Sequence, residues 1–204
     1  ALPPDACMTA GGFSPADRAR SMNNSLATNK IQVVNPATRE RIAELEVAGD
    51  QDVARVVDAA RNAQADWQKK SFTERRARFH RLRDLVVAHA EKFADVIVGE
   101  TGKPVAEAYG NELFYICDAM GFWGKNAERY LGPEKIRPHL LKTKRVVSTY
   151  EPIGVVGIIS PWNFPLVLTL GEAIPALMAG NAVVIKPSEL TPLTADRLAA
   201  LLLA

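Results

Sequence analysis

Asn163 stands in the pentapeptide Pro161-Trp162-Asn163-Phe164-Pro165, and its amide is the one side chain there that both donates and accepts hydrogen bonds. Prolines on either side limit the freedom of its loop. The surrounding run, Ile153 to Leu168, reads IGVVGIISPWNFPLVL. Its first half is apolar, rich in Val and Ile, and cut off by proline, which is the pattern of a buried strand in a parallel sheet. In open α/β sheets ligands sit beyond the carboxyl ends of such strands. A rigidly held amide donor at that place suits the stabilisation of a developing negative charge. The same residues also satisfy plain turn chemistry, which favours Asn and Pro on its own account.

A second cluster lies at Val183-Val184-Ile185-Lys186-Pro187-Ser188-Glu189. Lys186 ends the next apolar run, so it arrives at the same rim as Asn163, with Glu189 three residues on. An ammonium that donates and a carboxylate that accepts suit the hydroxyls of a ribose. The alternative is a solvated strand end followed by an acid that complements a helix dipole.

The elements that position these residues follow in order. Strand Ile153 onward, helix from about Leu166 to Met178, strand Ala182 to Lys186 and helix from Thr191 form the pattern of a parallel sheet with right-handed crossovers. Gly180-Asn181 suits a helix end in left-handed geometry. Upstream, Lys30 to Val34 and Arg41 to Val47 read as two short strands joined at Asn35-Pro36-Ala37-Thr38. A helix runs from Asp50 to near Trp67, and a second starts near Thr73 with Phe79, Leu82, Leu85 and Val86 as its apolar face. Arg75, Arg76, Arg78, Arg81 and Arg83 are assigned to its solvated face rather than to a nucleic-acid site, because acidic residues flank them. A third helix, Glu91 to Glu100, stops at Thr101-Gly102-Lys103-Pro104. A long helical stretch then reaches about Tyr130, with Leu113, Ile116, Met120 and Trp123 as its stripe and Cys117 as a small core residue. Arg145 to Tyr150 alternates like a strand with one exposed face.

The 204 residues are 48% apolar and 24% charged, with a formal net charge of +2, the balance of a globular protein with no call for nucleic-acid or membrane partners. No unbroken apolar run is long enough to span a bilayer. Cys7, Cys117 and three scattered histidines form no metal or redox spacing. No signal peptide is visible in residues 1–30, so a cytoplasmic setting is the expectation. Residues 1–29 read as a mobile tail, and Ala1 need not be the natural start.

The stretch from Tyr150 to Thr194, with YEPIGVVGIISPWNFP and AIPALMAGNAVVIKPSELTP, resembles the NAD(P)-dependent aldehyde dehydrogenase superfamily. ETGKP at Glu100 to Pro104 and NPATRE at Asn35 to Glu40 resemble its N-terminal half. The resemblance implies an α/β fold: an incomplete Rossmann-like parallel sheet in 151–204, preceded by N-terminal helices in 30–144 and a strand of an antiparallel oligomerisation element in 145–150. It implies that Asn163 is the oxyanion donor and that Lys186, Ser188 and Glu189 meet the adenosine ribose. It also implies that Ile159, Ser160 and Trp162 line the cofactor crevice, while Phe164, Val167, Leu168 and Gly171 border the aldehyde tunnel. Glu189 would repel a 2′-phosphate, so NAD is expected over NADP. The apolar tunnel residues suggest a medium-sized apolar or aromatic aldehyde. The family's cysteine nucleophile and general-base glutamate would lie beyond residue 204, so this chain alone is expected to be inactive and the longer protein to be a homodimer or homotetramer. The competing expectations are a non-catalytic short protein that binds a nucleotide or partner through an exposed sheet edge, and a basic helical nucleic-acid binder.

Overall fold

The computed structural model describes residues 30–140 and 142–202. The expected 1–29 tail and Cys7 lie outside these residues. Two strands open the described chain: β1 (Lys30–Val34) pairs antiparallel with β2 (Arg41–Glu46). Asn35 builds the turn between them, its Oδ1 accepting from Ala37 N at 2.8 Å and Thr38 N at 3.2 Å.

Helices follow. α1 spans Asp50–Trp67, as its periodicity predicts, and α2 spans Phe72–Ala88. The start of α2 is set by a capping box at Ser71 and Glu74, two positions before the signal expected at Thr73: Glu74 N donates to Ser71 Oγ at 3.3 Å and Ser71 N to Glu74 Oε2 at 2.7 Å. α3 (Ala90–Thr101) ends at Gly102, whose φ of +70° needs a residue without Cβ, and a Cβ there would approach Pro36 Cγ to 3.1 Å. The long helical stretch is real but irregular: a short α4 (Val105–Glu107), a π-helical turn over Ala108–Phe114 and then α5 (Tyr115–Leu131). Leu113, Ile116 and Met120 are buried along it, in one core with Phe79, Leu82 and Val86 of α2 and with Phe93 and Ile97 of α3.

One assignment is corrected here. Arg75 is buried, not solvated, because it shares the helical face of Phe79 and Leu82. Its guanidinium donates to Met178 O at 2.8 Å and to Gln68 O at 2.9 Å. Arg76, Arg78 and Arg81 are exposed and Arg83 is half-buried.

The expected strand near residues 145–150 is β4 (Val146–Ser148), and it pairs antiparallel with β3 (Glu134–Ile136), which the sequence did not announce. The parallel pair is β5 (Val155–Ile159) and β6 (Ala182–Lys186), joined by α6 (Val167–Met178); α7 (Pro192–Leu202) closes the described chain. α1 and α6 both pack on this pair. β5 is not the fully buried strand its composition suggests. Ile158 is buried, but Ile159 is 81% exposed and Ile153, before the strand, 91%. Within the described residues β5 has a strand on one edge only, so part of its apolar surface lacks cover.

The C-terminal end of α6 is held by distant donors: besides Arg75, Trp67 Nε1 donates to Leu177 O at 2.8 Å and Gln64 Nε2 to Gly180 O at 3.1 Å. Gly180 takes the left-handed conformation expected of it, with φ +93°. No helix among the described residues is long and apolar enough to cross a membrane.

Candidate active site

The two parallel strands end together. Ile159 stands opposite Lys186 in the register, and Ser160 N continues the ladder to Lys186 O at 3.1 Å. The loops carrying Trp162-Asn163 and Ser188-Glu189 therefore leave from one rim, outside the carboxyl ends of the strands, where α/β sheets hold their ligands.

On the β6 side, Lys186 and Glu189 are exposed, with Nζ 3.6 Å from Glu189 Oε2 and donating to Pro187 O at 3.0 Å. Ser188 is buried and its hydroxyl closes the turn by accepting from Leu190 N at 3.2 Å. On the β5 side, Ser160 is 5% exposed and its Oγ has no partner among the described residues. A buried hydroxyl without a partner at a strand end is an uncommon cost in a native fold.

Trp162 and Asn163 are exposed. The Asn163 amide makes no hydrogen bond among the described residues, whereas its backbone carbonyl accepts from Lys103 Nζ at 3.0 Å. That ammonium also donates to Glu112 Oε1 at 2.5 Å and lies 4.1 Å from the centroid of the Phe164 ring. The Lys103 side chain is 9% exposed and that of Glu112 is 0%. The second carboxylate oxygen of Glu112 accepts from Leu166 N at 2.8 Å and Val167 N at 3.4 Å, the first free N–H groups of α6. Neither residue was singled out from the sequence. ETGKP was legible as a helix stop, but nothing local tells that Glu112 meets a backbone 54 residues further on.

Phe164, Val167 and Leu168 line one cavity of about 370 Å³, which Phe114, Tyr115 and Asp118 of the π turn and α5 close from the other side. Gly171 is not in that lining; it lies behind it, where a Cβ would come within 3.7 Å of the Tyr115 ring. Ile159 lines a separate cavity of about 480 Å³, shared with Leu168 and Glu172 on the open side of β5. Cys117 is half-buried on α5, and burial pushes its thiol up, away from the thiolate that a nucleophile needs. No cluster of three or more His, Cys, Asp or Glu residues forms a metal site among the described residues.

A helical layer and a parallel strand pair joined by a helix make up an α/β architecture. Over residues 23–204 the chain matches the aldehyde dehydrogenase family, and it belongs to that family. It is 38% identical over 172 residues to the mitochondrial succinate-semialdehyde dehydrogenase of Arabidopsis thaliana, covering 84% of this chain and 32% of that one. An NADP-dependent enzyme of E. coli superposes with a TM-score of 0.80 at 32% identity, covering 85% and 36% of the two chains. A variant of Aldehyde Dehydrogenase C from Pseudomonas syringae, in complex with NAD+ and octanal, does so at 0.77 and 32%, covering 87% and 35%. The chain thus spans about a third of the length of the relatives it matches.

Proposed function

We propose that this chain supplies the oxyanion and ribose-binding part of an NAD-linked aldehyde dehydrogenase site, in a protein that oxidises an aldehyde to a carboxylic acid through a cysteine thiohemiacetal. The observation that carries the reading is the shared rim of Ile159 and Lys186, which brings the Asn163 loop and the Glu189 turn out side by side. The Asn163 amide, unengaged in the fold, donates to the aldehyde oxygen as a thiolate from outside the described residues attacks, and to the oxyanion that results. The residues at the rim fit a dinucleotide: Lys186 donates to ribose hydroxyls, Glu189 accepts from them, and the orphaned Ser160 Oγ faces no competing partner. When bound, that cofactor takes up the hydride, and Ile159, Ser160 and Trp162 border it.

Glu189 disfavours a 2′-phosphate, which supports NAD over NADP although several relatives are named for NADP. The cavity of Phe164, Val167 and Leu168 contains no basic residue in its described lining, and its one charged member is Asp118. This favours an uncharged, medium-sized apolar or aromatic aldehyde over a carboxylated one such as succinate semialdehyde, the compound in the Arabidopsis relative's name. Assembly as a homodimer or homotetramer through β4, and a cytoplasmic setting, belong to the same reading.

The test is turnover by the full-length gene product. Asn163→Ala is expected to lower kcat/KM by about 10²–10³-fold, the usual cost of one oxyanion donor, and a parent-like rate would overturn the assignment. Hexanal and benzaldehyde are expected to outrun acetaldehyde and succinate semialdehyde, and NADH to bind more tightly than NADPH. A preference for acetaldehyde or for the carboxylated aldehyde, or tighter NADPH, reverses the corresponding part.

A further inference from the structure

We propose that Lys103, held by Glu112, is a positioning residue for Asn163. The inference rests on the reading of Asn163 given above. Three contacts converge on one ammonium: Glu112 Oε1 at 2.5 Å, the Asn163 carbonyl at 3.0 Å and the Phe164 ring at 4.1 Å. Glu112 in turn grips Leu166 N and Val167 N. The segment from Asn163 to Val167 is therefore tethered at both ends by a single ion pair, pulled at its carbonyl by the cation and at its amides by the anion.

The pair is almost fully buried, and such pairs contribute little net stability relative to apolar replacements. Its cost is better explained by what it fixes. Leu166 and Pro165 are buried, but Asn163 is exposed and its side chain has no partner in the fold. Without a tether its backbone would be free to turn the amide away. Displacement of a positioned donor by about 1 Å costs up to about 10²-fold in rate. Lys103 does not itself touch the reacting atoms; it acts through the peptide unit that carries the donor.

The experiment is a double-mutant cycle in the full-length gene product, read as kcat/KM for aldehyde at saturating cofactor. The paired change Lys103→Met/Glu112→Gln leaves no buried charge and keeps an oxygen to accept from Leu166 N, yet it releases the Asn163 carbonyl. It is expected to lower kcat/KM about tenfold, with cofactor affinity unchanged within about twofold. In an Asn163→Ala background the same change is expected to cost nothing further, because the donor it positions is gone. An equal tenfold loss in that background, or no loss in the parent background, overturns the proposal. Lys103→Arg keeps the charge pair and guards against a variant that does not fold; its smaller loss, about threefold, must likewise vanish when Asn163 is Ala. A parent-like rate for Asn163→Ala alone sinks the functional reading of Asn163 instead, so the two failures are told apart.

Discussion

The helices that follow the two parallel strands begin in the same way and differ in one charge. α6 starts on Glu112, which accepts from Leu166 N and Val167 N; α7 starts on Glu100, which accepts from Leu193 N at 2.5 Å, Thr194 N at 2.9 Å and Thr194 Oγ1 at 2.6 Å. Both carboxylates are buried and both come from the preceding helical part, 54 and about 93 residues upstream. Glu112 has the Lys103 ammonium beside it, while no salt bridge joins Glu100 to a cation among the described residues. Burial pushes the Glu100 carboxyl above its ordinary range, against the pull of its three hydrogen bonds, and the nearby Glu112 adds to the rise. Capping a helix therefore needs only an acceptor. The cation at α6 is an addition, and it is the part that reaches the Asn163 loop.

The comparison can be broken where the charge is removed. Lys103→Met alone strands a buried carboxylate and is expected to cost about 3–5 kcal/mol in urea unfolding of this chain, whereas Lys103→Met/Glu112→Gln should cost far less. Equal losses would show that the two residues do not act as a charge pair. Glu100→Ala removes an acceptor from three donors with no charge left behind, and about 1–3 kcal/mol is expected by the same measurement. A loss matching that of Lys103→Met would erase the distinction drawn between the two caps.

The smallest effect is a pH dependence. Because the folded state holds the Glu100 proton more tightly than the unfolded chain, this group's stabilising contribution is full below the ordinary carboxylate range. It is lost as pH rises from there through the raised value, and it stays lost above. Glu100→Gln removes the titration and should flatten the stability profile of the parent above the ordinary carboxylate range. Unchanged slopes in the two profiles would show that Glu100 does not hold its proton.

What the sequence disclosed and what it concealed follows from the range of the interactions. α1 was legible to the residue because its signals, acids in the first turn and apolar residues at helical spacing, lie within the helix. The second parallel strand was read to the residue as well, while the first begins two residues later than expected and the helix after each strand one residue later. The capping box Ser71-Glu74 was also local and readable, and its neighbour Thr73 drew the start two residues late. Arg75 was readable too: positions 75, 79, 82 and 86 share one helical face, and the apolar members should have claimed it. β3 had no signal, since Glu134-Lys135-Ile136 is three residues long and exposed throughout. Of the candidate site, Asn163, Lys186 and Glu189 stood out because their polar groups follow two successive apolar runs that end at one rim. Lys103 and Glu112 did not, because each owes its place to residues more than fifty positions away.

The π turn has a consequence for the length of the chain rather than its composition. Regular α-helix rotates successive residues by about 100°, so neighbours face apart. Over Ala108–Phe114 the wider turn lets Glu112 meet the start of α6 while Leu113 and Ile116 stay in the core. Tyr109, Gly110 and Asn111 are exposed, and a Cβ at Gly110 would meet nothing within 4 Å. Single substitutions at these three positions should be tolerated by the fold, although Gly110 and Asn111 also border the Phe164 cavity, whereas deleting any one of them would re-phase the helix and swing Glu112 off its partners. In a library of variants, this stretch would read as permissive to spelling and intolerant of frame-preserving gaps.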